Sequence, residues 1–187
     1  LVMRAVQVAA PATWKRFFDA PGARFVMAGT PNRGSYAPML ALSGQHPVVN
    51  TVDALDTCTS WRELREMMAG FPGLMQLQML AGGGEDLSQQ ATWQQLEAWH
   101  RSKPLHPSLV GPDGVGPGKR PWGLPQQDVL DRLATLRELL DPQLDQLRDL
   151  DDKVRLVAGH AEQTVVDLRR SDFGVEFLAS GQGDGTV

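Results

Sequence analysis

Asp184 stands between two glycines in Gly183-Asp184-Gly185-Thr186-Val187, a setting in which the backbone can turn sharply and hold a carboxylate at the end of a strand. A carboxylate so placed could fix the tautomer of a histidine and stabilise its imidazolium during acyl transfer. The same pattern also occurs in ordinary surface turns, where Asp beside Gly is common. Ser35 follows Gly34, but the second glycine of a nucleophile elbow is missing, so it reads as a turn or N-cap serine. The glycines of Ser180 to Gly185 have no Lys-Ser/Thr after them, which excludes the ordinary phosphate loop. The histidines are His46, His100, His106 and His160, and none lies in HExxH or another ligand-spaced cluster, so neither a metal nor a cofactor is called for. His160 follows a strand-like stretch and reads as structural or exposed. Asp56, Glu63, Asp86 and Glu97 show no pairing pattern and read as solvated charges.

These residues need elements to hold them. Residues 1 to 20 have helical spacing that breaks or kinks at Pro11, with Trp14, Phe17 and Phe18 forming a second apolar stripe up to Pro21-Gly22. Arg24 to Ala28 then reads as a parallel strand buried on both faces, running into Gly29-Thr30-Pro31-Asn32-Arg33-Gly34-Ser35. Tyr36 to Gly44 predicts a short helix. Ser60-Trp61-Arg62-Glu63 is a capping box, followed by the stripe Leu64, Met67 and Met68 and a stop at Gly70. Phe71-Pro72-Gly73-Leu74 is a rigid apolar turn, and Thr92 to Gln95 reads as a second capping box ahead of Trp93, Leu96 and Trp99. Residues 103 to 125 are rich in Pro and Gly and predict a loop. Leu130, Leu133, Leu136 and Leu140 restore helical spacing, and Asp141-Pro142 predicts an N-cap and first position of a further helix, giving a hairpin or a kinked rod. Strands resume at Val154 to Ala158, Val165 to Leu168 and Val175 to Ala179.

Composition sets the outer limits. The 187 residues suffice for one domain with a core, or for a sheet domain interrupted by an insertion. An apolar fraction of 42% and a mean hydropathy of -0.26 are those of a soluble globular chain, and no apolar run approaches the roughly 20 residues that span a bilayer. The net charge of -4 argues against a nucleic-acid partner. Cys58 is the only cysteine, which rules out an internal disulfide and leaves the compartment open, leaning towards a reducing or cytoplasmic one. Leu1 to Ala10 lacks the basic start and cleavage pattern of a signal peptide.

Two segments together carry a resemblance. Phe25 to Ser35, with its Gly-Thr-Pro-Asn-x-Gly-Ser run, and Gly183 to Val187 are similar to segments of α/β-hydrolases of the lecithin:cholesterol acyltransferase and lipase-like group. The opening Leu1-Val2-Met3-Arg4 resembles the start of the helix that follows the family's G-x-S-x-G-G elbow. The likeness spans residues 1 to 40 and 154 to 187 and fades between them. It implies a partial α/β-hydrolase, a three-layer sandwich on a parallel sheet, with core pieces 1–45 and 150–187 and a helical cap inserted at about 46–149. It further implies a Ser-Asp-His triad in which Asp184 is the acid, the serine precedes Leu1 and the histidine follows Val187, so that the segment alone is inactive. By position in the resembled fold, Asn32, Arg33 and Tyr36 would flank the substrate, and Phe71 belongs to an element above the active site. The substrate would be a small acyl ester or lipid, with peripheral lipid contact through the methionine-rich cap. The alternative is a non-catalytic hydrolase-like module whose cap docks protein or lipid.

Overall fold

A computed structural model describes residues 2–56, 58–104, 120–150 and 152–181. Helices α1 (Val2–Ala9) and α2 (Pro11–Asp19) lead into strand β1 (Phe25–Ala28). Five helices and a two-residue ribbon follow: α3 (Ala37–Ser43), α4 (Pro47–Leu55), α5 (Trp61–Ala69), α6 (Pro72–Met75), β2 (Ala81–Gly82) with β3 (Glu85–Asp86), and α7 (Gln90–Ser102). The long α8 (Gln127–Arg148) then returns the chain to β4 (Val154–Val157) and the hairpin β5 (Thr164–Ser171) and β6 (Gly174–Ser180). The chain is thus mixed α/β. Among the described residues the sheets are two-stranded: β1 with β4, parallel, and β2 with β3 and β5 with β6, antiparallel.

The parallel pair is where the sequence reading and the structure part. Phe25 lies beside Val154 and Met27 beside Leu156. Period-2 alternation turns Phe25, Met27 and Val154 towards Trp14 and Phe18 of α2 and Leu147 of α8. The opposite face is bare, with Val26 58% and Val157 54% exposed. Hence β1 is a parallel strand as expected, but it is covered on one face only, because among the described residues a single strand and two helices surround it. A three-layer sandwich is not formed by these residues.

A second, larger core lies at the other end of α8. Tyr36, Met39 and Leu42 of the α3 region meet Met75, Leu87, Trp93, Leu96 and Leu130, closed by Leu168 and Val175 of the hairpin. The hairpin, the α3 region and helices α5, α6, α7 and α8 therefore share one core. At 22 residues, α8 is about 33 Å long, enough to reach from this core to the β1–β4 sheet. Of the hairpin and the kinked rod that the sequence allows, the structure has no hairpin: α8 is one helix, continuous through Pro142. Leu133, Leu140 and Leu147 are buried on both sides of Pro142, which holds the helix together although Pro142 has no N–H to donate to the preceding turn.

Local signals were read with mixed success. The Ser60 capping box forms in full, with Glu63 N–H on Ser60 Oγ at 3.3 Å and Ser60 N–H on Glu63 Oε2 at 2.8 Å. The stripe behind it is different: α5 buries Arg65 and Ala69, and Met67 is exposed. The second expected box is absent, since α7 starts at Gln90, three residues early, and Thr92 lies inside it. A glutamine accounts for the early start, because Gln127 Oε1 accepts the Gln90 N–H at 2.8 Å.

Candidate functional site

The loop leaving the carboxyl end of β1 is tied down at both ends. Gly29 N–H donates to Val157 C=O at 2.9 Å, and Ser35 N–H donates to Leu77 C=O at 2.6 Å. Gly34 sits at φ +102°, and a Cβ there would stand 2.8 Å from Arg137 Nη2 and 2.9 Å from the carbonyl oxygens of Leu77 and Gln78. Only glycine meets both demands. Arg137 is the clamp of this loop: buried, it donates to Asn32 C=O at 3.0 Å and to Gln76 C=O at 2.9 Å. Burial lowers its pKa from the usual arginine value, with the Asp141 charge opposing.

Beside this loop lies a groove of about 910 Å³. Its floor is apolar, made by Met27, Leu144, Leu147, Val154 and Leu156, and its rim carries Asn32, Arg33, Asp141, Asp145 and Arg155. An apolar trough with a few polar groups at its edge, within the size range of small-molecule sites, can hold an aliphatic group and orient a polar head. The groove runs from the Gly29–Ser35 loop along the face of the β1–β4 pair to Val154, the first residue of β4, with α8 as its other wall.

Of the residues singled out from the sequence, the structure brings Asn32 and Arg33 together on the groove rim. Tyr36 is placed elsewhere, buried in the larger core with its hydroxyl on Ala81 C=O at 3.0 Å and Asp167 Oδ1 at 3.3 Å. Burial, reinforced by the Asp167 charge and hydrogen bond, pushes the phenol up to about 12. Phe71 is exposed at the start of α6 and does not line the groove. Asp184 lies outside the described residues. Ser35 Oγ accepts the Ala37 N–H at 3.0 Å, as a turn serine does, and His160 is exposed.

Several polar residues that sequence reasoning passed over are structural anchors. His100 is buried, and its Nδ1 accepts the Val175 N–H at 2.9 Å, joining α7 to β6. Glu97, read as a solvated charge, accepts the Trp122 N–H at 3.1 Å. Asp56 takes the N–H groups of Cys58 and Thr59, and Asp86 takes that of Ser88. Arg137 falls on the Leu130, Leu133 and Leu140 face of α8 at helical spacing, but that spacing alone does not name the carbonyls it meets.

Comparison with protein-family models, with curated proteins and with solved structures gave no match. No helix among the described residues is long and apolar enough to cross a membrane.

Proposed function

We propose that this chain is part of a serine acyl-ester hydrolase, or of an O-acyltransferase, acting on lipid-like esters. The observation that carries the reading is the parallel pairing of β1 with β4 across a largely helical insertion, with the Gly29–Ser35 loop opening from β1 onto an apolar groove. That is the order of strand, loop, insertion and strand which the Gly-Thr-Pro and Gly-Asp-Gly-Thr-Val segments imply, and the finer architecture, a three-layer hydrolase sandwich, belongs to the same proposal. The chemistry is acyl transfer. A serine oxygen attacks the ester carbonyl while a histidine takes its proton; the alcohol leaves with that proton, and water or a second alcohol then releases the acyl group. Asp184 orients the histidine; the serine and histidine are not assigned to residues of this chain. The groove floor receives the acyl chain, and Asn32 and Arg33 face its polar end.

The test is ester hydrolysis by the full protein that carries this chain. Turnover of aryl esters is expected, and Asp184→Asn should lower kcat by roughly 10⁴ with an unchanged circular dichroism spectrum. Unchanged turnover removes Asp184 from the triad.

One observation favours the non-catalytic reading. Helix α4 buries none of its residues and shows Val48, Val52 and Leu55, the last 78% exposed, at helical spacing. An apolar stripe of that kind suits a docking surface. A full protein that turns over no ester, yet binds lipid vesicles and loses that binding with Val52→Lys, would establish this reading instead.

A further inference from the structure

The groove beside β1 has room that its own walls leave unfilled. Met27 and Leu156 are neighbours on its floor, yet Met27 is 6% exposed and Leu156 69%. A large apolar side chain left open on the inner face of the sheet, in a cavity of about 910 Å³, is surface that an aliphatic group covers favourably. Leu144 of α8 lines the opposite wall, so an occupant meets carbon on both sides.

The charges on the rim are not equivalent. Asp141 acts on the buried guanidinium of Arg137, one turn earlier on α8, and Asp145 and Arg155 are each engaged by a neighbour. Arg33 is exposed and forms no hydrogen bond or ion pair among the described residues. Its backbone is nevertheless held. Asn32 C=O, immediately before it, accepts from Arg137 Nη1 at 3.0 Å, and Gly34 N–H, immediately after it, donates to Pro31 C=O at 3.2 Å. A free guanidinium on a fixed loop at the edge of an apolar trough offers a head group one positive charge and a planar set of donors.

We propose that the groove takes an amphiphile with an aliphatic chain and an anionic head, and that Arg33 is the residue that selects the charge. An uncharged head leaves Arg33 unpaired and a cationic one meets it as a like charge, so the order of preference is anion, neutral, cation. A carboxylate and a phosphate monoester present the same charge to the guanidinium. The inference deepens the hydrolase reading, on which it rests for turnover, by narrowing the lipid-like ester to one that carries a negative charge. Binding itself needs only the groove.

Isothermal titration of the full protein with decanoate, decyl phosphate, decanol and decyltrimethylammonium, each below its micelle concentration, tests the preference. None of these is an ester, so binding is read without turnover. Both anions are expected to bind about two- to fivefold tighter than decanol, the difference shrinking in about 1 M salt, with the cation weakest. Arg33→Glu, an exposed substitution that the fold tolerates, should put the cation ahead of the anions, and Leu156→Gln on the groove floor should weaken every ligand together. Decanol bound as tightly as the anions overturns the proposal, as does an order that survives Arg33→Glu or binding untouched by Leu156→Gln. The two readings fail separately: anion-selective binding without ester turnover sinks the hydrolase reading alone, and equal turnover of anionic and neutral decanoyl esters sinks this one alone.

Discussion

Tyr36 is the chain's only tyrosine, so its ionisation can be followed alone by phenolate absorbance. Burial and Asp167 hold its pKa at about 12, above the roughly 10 of an exposed phenol. The folded state therefore binds this proton more tightly than the unfolded one. The stabilisation is complete below pH 10 and is lost as pH rises from 10 towards 12. An absorbance titration should show a midpoint near 12 in the native protein and near 10 in denaturant; a native midpoint near 10 would place Tyr36 outside the core. The capping box gives a second expectation. Ser60→Ala should cost about 1 kcal/mol in urea denaturation. The Ser60 hydroxyl, then its N–H, lowers the Glu63 pKa, so the contribution of Glu63 is present at neutral pH and disappears as pH falls through that depressed value. Ser60→Ala should make the acid-side loss of stability shallower. Ser60 and Glu63 were legible because capping is local, read from four consecutive residues. Arg65 and Arg137 were not, because a charge on an apolar helix face is read as solvated until the carbonyls it will meet, from segments 23 and 105 residues away, are known.

Elements follow the same division between local and distant causes. The strands at β1, β4, β5 and β6 lie where β-branched and apolar runs are bounded by turns, and α3 starts and stops at the signals around Tyr36 and Gly44. For α8 the sequence left a hairpin and a kinked rod open, because Asp141-Pro142 is a strong local start signal, and packing at both ends decides for one helix. Since Pro142 leaves one carbonyl of the preceding turn unbonded, Pro142→Ala should stabilise the protein by about 1–3 kcal/mol, measured by urea denaturation. A loss of stability would mean that α8 depends on the proline, as it would if residues 127–140 and 143–148 were separate helices. The start of α7 was misplaced for a similar reason: the Gln127 side chain that receives Gln90 comes from α8, beyond any window a capping motif can span. As for the groove, the place of Asn32 and Arg33 in the loop after β1 is local and follows from the strand, whereas the apolar wall beside them depends on where α8 lays Leu144 and Leu147.

At the scale of the molecule, the β1–β4 sheet is the feature that an ordinary globular chain does not leave as it stands. Parallel sheets are normally covered on both faces, and two strands alone are marginal, yet on the face turned away from α2 and α8 Val26 and Val157 are more than half exposed, at 58% and 54%. The hydrolase reading accounts for this if further elements of the full protein cover that face. The docking reading leaves it open. Val26→Lys separates the two. In the isolated chain the side chain is exposed, so the substitution should change stability by no more than about 0.5 kcal/mol and should reduce any concentration-dependent association seen by sedimentation velocity. In the full protein a covering layer would bury the lysine, and the same substitution should then cost at least about 2–3 kcal/mol in denaturant unfolding. A large cost in the full protein beside a negligible one in the chain means that β1 and β4 are inner strands of a larger sheet. Equal, small costs mean that the face stays open in both, and the reading of this chain as part of a hydrolase sandwich fails with it.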